Sequence, residues 1–306
     1  MKTKSKYRQM GKILAKWQLY LMTLPAVIAV LIFCYKPMYG LIIAFKDYKM
    51  KLGYWNSPWV GLDNFQRLFT SNWFPVILKN TLTLSVLGLI VSFPLPIILA
   101  LLVNEIGNEK VKRTFQTVSY APHFISTTVI CGMVILFLNP SHGILNALIE
   151  LFGGEAQAFM QEPGAFKWVY VLSGVWQGTG WGTIIYFAAL SGVDKNLIDA
   201  ATVDGANRMQ LIRYVNFPVL VPTIMIMLIL QCGQLLSVGY EKTLLLQNSL
   251  NISASEVIST YVYKMGLENM DYSFSTAAGL FNSLCNTIIL VAANKFSKKT
   301  TESSLW

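Results

Sequence analysis

Six long apolar runs alternate with shorter polar segments along this chain. They fall at about residues 19–35, 75–103, 118–138, 168–190, 219–238 and 276–293. The fifth sets the scale: its 20 residues, at about 1.5 Å each, cover roughly 30 Å, the thickness of a bilayer's hydrocarbon. The pattern predicts an all-α polytopic membrane protein with six transmembrane helices. Prolines mark its joints. Lys36-Pro37 is expected to end the first run, with 38–45 extending it beyond a kink. Pro94 and Pro96 predict a kink inside the second, and Asn139-Pro140 closes the third. Between the runs, 104–116 reads as a charged turn, and 141–167 as a polar connection. The segment 239–275 reads as a longer one with a helix at about 253–265. The chain thus divides into a basic N-terminus (1–16), a membrane domain (17–294) and a polar tail (295–306).

Composition agrees. The 306 residues are 54% hydrophobic and only 13% charged, about half the usual share in a soluble domain. The net charge of +9 does not indicate nucleic acid, because the basic residues sit at segment ends rather than along one stripe. With both termini on the cytoplasmic side, 15 of the 24 Lys and Arg fall on inner segments. The first outer connection runs against this bias, with Lys46, Lys49, Lys51, Arg67 and Lys79. It is long, and long connections obey the rule less strictly. No cleavable secretory signal is evident: the apolar run after Lys16 is too long for one. The four cysteines lie singly, and the only two histidines, His123 and His142, are far apart, so no metal site is expected.

The most informative polar stretch is 199–222. Asp199 to Val203 reads as a short helix, Gly205 as a turn, and a second helix is expected from about Ala206. Met209, Ile212 and Val215 recur at steps of three on one face, and Pro218 is expected to mark the next boundary. The spacing Asp199-Ala200-Ala201, Gly205, then Val215-Asn216-Phe217-Pro218 closely resembles the cytoplasmic "EAA" coupling loop of ABC-importer permeases. Asp199 stands where Glu is usual and Phe217 where Leu is usual, and both replacements keep the chemistry. The run Trp59-Val60-Gly61-Leu62-Asp63-Asn64-Phe65 resembles one seen in sugar-importer permeases. It is expected to open an interfacial helix capped by Asp63 or Asn64.

This resemblance, to permeases of the maltose type, implies a six-helix pore subunit in the bacterial cytoplasmic membrane. Its coupling loop (191–218) would transmit work from partner ATPases. Asp199, Ala200, Ala201, Gly205, Met209, Ile212 and Pro218 would form the ATPase contact, with Met209 and Ile212 filling its groove. It further implies a second related permease, two ATP-binding subunits, an extracytoplasmic substrate-binding protein or lipoprotein, and a sugar or oligosaccharide substrate. ATP and magnesium would belong to the partner ATPases, with no cofactor in this chain. The residues fit that division of labour. There is no Gly-x-x-x-x-Gly-Lys-Ser/Thr phosphate loop. No charged relay crosses the apolar runs, as ion-coupled carriers require. No nucleophile–base or carboxylate pair stands out, so the chain reads as non-catalytic.

Candidate substrate contacts are the polar interruptions of the last three runs: Trp176, Gln177 and Trp181 among glycines, Gln231 and Gln234, and Asn282 and Asn286, four apart on one face. Uncharged amides and indole faces suit a neutral polyhydroxyl ligand. The same residues equally suit helix–helix packing, since small residues and buried amides hold membrane bundles together. Importers of peptides, phosphate or polyamines share the coupling loop and are the nearer alternative. A membrane scaffold without transport is the more distant one.

Overall fold

The computed structural model describes residues 16–301 and 304–306, so the basic segment 1–15 lies outside the described residues. Within them the regular structure is helical, apart from one isolated antiparallel bridge between Lys46 and Trp59. In chain order, α1 (Trp17–Phe45) leads through a single turn at Gly53–Asn56 to α2 (Asp63–Thr70) and α3 (Phe74–Asn104). Next come α4 (Glu109–Phe124), α5 (Thr127–Phe137), α6 (Ile144–Leu151) and α7 (Pro163–Leu190). α8 (Lys195–Val203) turns into α9 (Arg208–Cys232). The short α10 (Tyr240–Leu246), α11 (Ile252–Ser255) and α12 (Ile258–Tyr263) lead to the final α13 (Tyr272–Thr301).

Helices α1, α3, α9 and α13 are long and apolar enough to cross a membrane, and α4 with α5 makes a fifth if the pair is one broken span. The expected count of six is not reached by this measure. The shortfall is α7, whose 28 residues reach about 42 Å but whose Trp-Gln-Gly-Thr-Gly-Trp centre dilutes its apolar character.

The prolines behave differently from expectation. Neither Lys36-Pro37 nor Pro218 ends a helix. In α1 a π turn at Leu31–Tyr35 ends two residues before Pro37, and in α9 another at Ile212–Asn216 ends two residues before Pro218. The wider turn bonds Lys36 N–H to the Leu31 carbonyl and Phe217 N–H to the Ile212 carbonyl. It thereby moves backbone off the ring that would otherwise clash with it, and the helix continues. At Pro94, where a kink was expected, the helix shows only a one-residue irregularity: Phe93 keeps helical φ and ψ and donates its N–H to the Leu89 carbonyl at 3.2 Å, and Phe74–Asn104 runs on as one helix.

The third expected span is broken. Its first part belongs to α4, a polar helix that starts at Glu109 where a turn was expected, because the Asn108 side chain accepts from the Lys110 and Val111 amides. The chain then bends by 97° at Ile125-Ser126, just past the tightened last turn of α4 that holds Pro122, and resumes at Thr127, capped by Ser126. The expected helix at 253–265 is interrupted between α11 and α12 at Glu256-Val257. The expected polar tail is helical as far as Thr301, continuous with α13.

Close helix contacts explain several glycines. A Cβ on Gly180 of α7 would overlap the Ser119 carbonyl oxygen of α4, and one on Gly182 would lie 2.9 Å from the Pro96 ring of α3. An apolar cluster of Ile97, Ala100, Tyr186, Leu190 and Leu220 joins α3, α7 and α9 near the α8–α9 turn. At the opposite end, hydrogen bonds pin the connections to the helices. Asn80 Nδ2 donates to the Ser253 and Glu256 carbonyls, both at 2.9 Å, and Thr81 Oγ1 accepts from Ile258 N–H at 3.0 Å. Lys264 pairs with Glu256 at 2.6 Å, and Arg67 with Asp271 at 2.8 Å. Neither Asp63 nor Asn64 caps α2, since Leu62 holds that position. The Asn64 amide is buried instead, donating to the Ala44 and Lys46 carbonyls. In α1, every residue from Trp17 to Tyr39 is exposed, Cys34 included; only the last turn, with Ile43 and Ala44, is buried, against α13.

Gly180→Ala is expected to cost about 1–3 kcal/mol through overpacking. Gly178→Ala, whose Cβ would meet nothing within 4 Å, is expected to cost far less. Thermal unfolding of both variants in detergent checks the contrast.

Candidate functional site

The α8–α9 turn is built from backbone bonds. Asp194 caps α8 by accepting from Asn196 N–H at 2.9 Å. At the far end Gly205 has φ +84°, a left-handed conformation that glycine adopts without strain. Its N–H donates to the Thr202 carbonyl at 3.1 Å, and the Ala206 N–H to the Ala201 carbonyl at 2.9 Å. These two bonds form a Schellman motif, which ends α8 and reverses the chain. A capping box restarts it two residues later: Gln210 N–H donates to Asn207 Oδ1 at 2.9 Å, and Asn207 N–H to Gln210 Oε1 at 2.7 Å.

The sequence-predicted turn residues fall into two sets. Asp199, Ala200, Gly205, Met209 and Pro218 are exposed, and Asp199 makes no ion pair among the described residues. Ala201 is half-buried. Ile212, expected to fill a partner's groove beside Met209, packs inward against the α3–α7–α9 cluster. The step from Met209 to Ile212 is regular α-helix, with Ile212 N–H bonded to the Arg208 carbonyl, and it sets the two side chains about 60° apart, enough to leave Met209 outside and turn Ile212 toward the cluster. Sequence reasoning missed Leu197 and Val203. Val203 is 87% exposed and Met209 67%, so the turn presents bare apolar side chains on a hydrogen-bonded backbone. Leu197 and Val203 were legible as large apolar residues in a short helix between polar segments. Behind the turn, Asn216 is buried, and its Nδ2 donates to Glu105 Oε1 at 2.9 Å, tying the base of α9 to the end of α3.

Two clefts lie deeper. The first, about 400 Å³, lies between α3, α7, α9 and the turn after Cys232. Gln231 and Gln234 line it, as do Ser85, Ser92, Tyr170 and Ser237, none of which the sequence reading singled out. The signal was present on α3: Ser85, Gly88 and Ser92 recur at steps of three and four, so small and polar groups share one face. The Ser85 hydroxyl is buried with no partner among the described residues. The second cleft, about 460 Å³, lies at the α4–α5 bend, where Gln177 and Gly178 of α7 face His123 to Thr127.

The remaining candidates are dispersed. Gln177 Nε2 donates to the Ile125 carbonyl at 3.1 Å, so it also satisfies backbone exposed by the bend. Trp181 stacks on His123 at 4.5 Å and meets Phe124 edge-on, while the exposed Trp176 lines neither cleft. Asn282 is half-buried outside both clefts. Asn286 is spent on structure: its Oδ1 accepts from Leu236 N–H at 2.9 Å, and its Nδ2 donates to Ser237 Oγ at 2.9 Å. These bonds hold the turn that carries Gln234.

One charged group stands beside the clefts, on a connection and not in an apolar run. Lys242 of α10 lays its ammonium 4.6 Å from the Tyr170 ring centroid and donates to the Tyr170 carbonyl at 2.7 Å. Burial lowers its pKa to about 8.

A bundle of this kind, with an exposed helical turn at one end and polar clefts between its helices, has the build of a membrane transport subunit. The chain belongs to the family of binding-protein-dependent transport system inner membrane components, whose profile matches residues 92–302. Protein LplB of Bacillus subtilis (strain 168) is 42% identical, over 95% of this chain and 91% of LplB. The polygalacturonan/rhamnogalacturonan transport system permease protein YteP of the same organism is 40% identical over 100% of this chain and 95% of YteP. Among solved structures, a chain of a bacterial ABC transporter involved in the import of the acidic polysaccharide alginate matches with a TM-score of 0.88 at 40% identity, covering 96% of this chain and 99% of that one. A second structure shows a bacterial alginate ABC transporter in complex with an alginate pentasaccharide-bound periplasmic protein. It matches with the same TM-score at 39% identity.

The division of labour between the two amides gives a test. Asn286→Leu is expected to lower stability by about 1–3 kcal/mol, because it strands the Leu236 N–H and the Ser237 hydroxyl. Gln234→Leu is expected to leave stability within about 0.5 kcal/mol. Unfolding curves for the two purified variants separate these outcomes.

Proposed function

We propose that this chain is the non-catalytic pore subunit of an ATP-driven oligosaccharide importer in the bacterial cytoplasmic membrane. It works with a second related permease, two ATP-binding subunits that carry ATP and magnesium, and an extracytoplasmic binding protein that delivers the sugar. The observation that carries this reading is the α8–α9 turn: Val203 and Met209 stand exposed on a backbone locked by the Gly205 motif and the Asn207–Gln210 capping box. Exposed apolar side chains on a rigid turn are what a partner's groove requires. The polysaccharides in the relatives' names, polygalacturonan, rhamnogalacturonan and alginate, support the substrate class.

In this reading the chain crosses the membrane six times, counting α7 and the bent α4–α5 pair. Both termini and the α8–α9 turn face the cytoplasm. The geometry then gives a mechanical route. α9 runs without a stop from the turn to Gln231, so a push on the turn moves one wall of the first cleft. The Asn216–Glu105 bond couples the same movement to α3, whose Ser85 and Ser92 form the facing wall. Alternating exposure of the cleft follows from rocking these two walls against α7.

Gly205→Pro, which removes the amide bonded to Thr202, and Asp199→Lys are each expected to leave membrane insertion intact. In the reconstituted complex both should reduce sugar-stimulated ATP hydrolysis about tenfold or more. Sugar-stimulated hydrolysis at the wild-type rate in both would reject the coupling role. Val203→Asp is expected to weaken co-purification of the ATP-binding subunits, read as subunit ratio on a gel; an unchanged ratio would place the docking contact elsewhere.

A further inference from the structure

Lys242 stands out among the lysines of this end of the molecule. Lys264 is matched by Glu256 at 2.6 Å and by the Gln247 amide oxygen. Lys46 is buried without a carboxylate, but it spends two donors on the Tyr54 and Trp55 carbonyls and closes a loop. Lys242 has a single hydrogen-bond acceptor, the Tyr170 carbonyl, and forms none of the ion pairs among the described residues. An ammonium carries three N–H donors, so two remain unspent. A sheltered cation without a counter-charge is costly, and the cost is relieved when an anion arrives.

Its position says where that anion comes from. The ammonium lines neither cleft itself but lies over one turn of α7 between them: Tyr170 lines the first cleft and Gly174 the second. A Cβ on Gly174 would stand 3.1 Å from Lys242 Nζ, so the missing side chain leaves the ammonium room against the helix. The neutral amides of both clefts, Gln231, Gln234 and Gln177, offer hydroxyl partners but no charge. A ligand that uses all of these groups is a sugar chain bearing carboxylates.

We infer that the importer carries acidic oligosaccharides, and that Lys242 is the specificity-determining counter-charge for a uronate carboxylate passing between the two clefts. This inference rests on the oligosaccharide reading above, and replaces the neutral ligand that the amides alone suggested.

The test uses the complete importer with its binding protein in proteoliposomes and two probes, pentagalacturonate and its methyl ester, which differ in charge. The readout is the ratio of acid to ester uptake, which does not depend on how much complex assembles. Wild type is expected to favour the acid. Lys242→Gln keeps a donor for the Tyr170 carbonyl but removes the charge, and is expected to lower the ratio about tenfold. Lys242→Arg is expected to keep it within about twofold. Should the Gln variant fail to assemble, Lys242→Met is read in the same way. An unchanged ratio in the uncharged variant, or a wild-type importer that takes the ester and refuses the acid, overturns the inference and leaves the oligosaccharide reading standing. A wild-type importer that takes up neither these probes nor a neutral oligosaccharide rejects that reading, and the inference with it.

Discussion

Inside a bilayer no water completes a broken backbone hydrogen bond, so each proline in a spanning helix must be accommodated by the helix itself or by a neighbour. The rest of this structure follows from how that is done. At Pro37 and Pro218 a preceding π turn widens the helix and lets it run on. At Pro94 the helix keeps its direction through a one-residue irregularity at Phe93. Past Pro122 the helix tightens and then breaks outright at Ile125-Ser126, and Gln177 from a neighbouring helix takes up a freed carbonyl at Ile125. The three outcomes produce, respectively, a continuous rod behind the exposed turn, a wall for the first cleft, and the second cleft itself.

Local chemistry explains which parts were legible in the sequence. The turn was, because it is made by neighbours in the chain: Gly205, the alanines that precede it and the polar cap that follows are all within a dozen residues. The apolar runs were legible for the same reason. The clefts were only partly so. Gln231 and Gln234 were found as polar interruptions, but Ser85 and Tyr170 join them from helices remote in sequence. Asn282 and Asn286 share a face as their spacing requires, yet nothing in that spacing says that Asn286 meets the Leu236 amide and not a ligand. Ile212 illustrates a subtler limit: a step of three sets it about 60° around the helix from Met209, and only the fold says which of the two faces the cluster of α3, α7 and α9. Lys242 was hidden by its address, on a connection that reads as polar surface.

The glycines of α7 show how one residue type serves unlike purposes at close spacing. Gly180 and Gly182 admit α4 and α3 to near contact, Gly174 makes room for an ammonium, and Gly178 borders open space. A stripe of small residues is thus not one feature. Only the neighbours that each lacks a side chain for distinguish packing from site.

The polar staples at the end opposite the α8–α9 turn have a mechanical meaning. Asn80, Thr81, Glu256 and Lys264 fasten the connection around α11 and α12 to α3, and Arg67 fastens α2 to the start of α13. A lever does work only against a fulcrum that does not yield. With this end riveted by buried charge and amide bonds, any sway of α9 or α3 must grow with distance from it, so displacement is smallest at the shelf and largest at the knuckle.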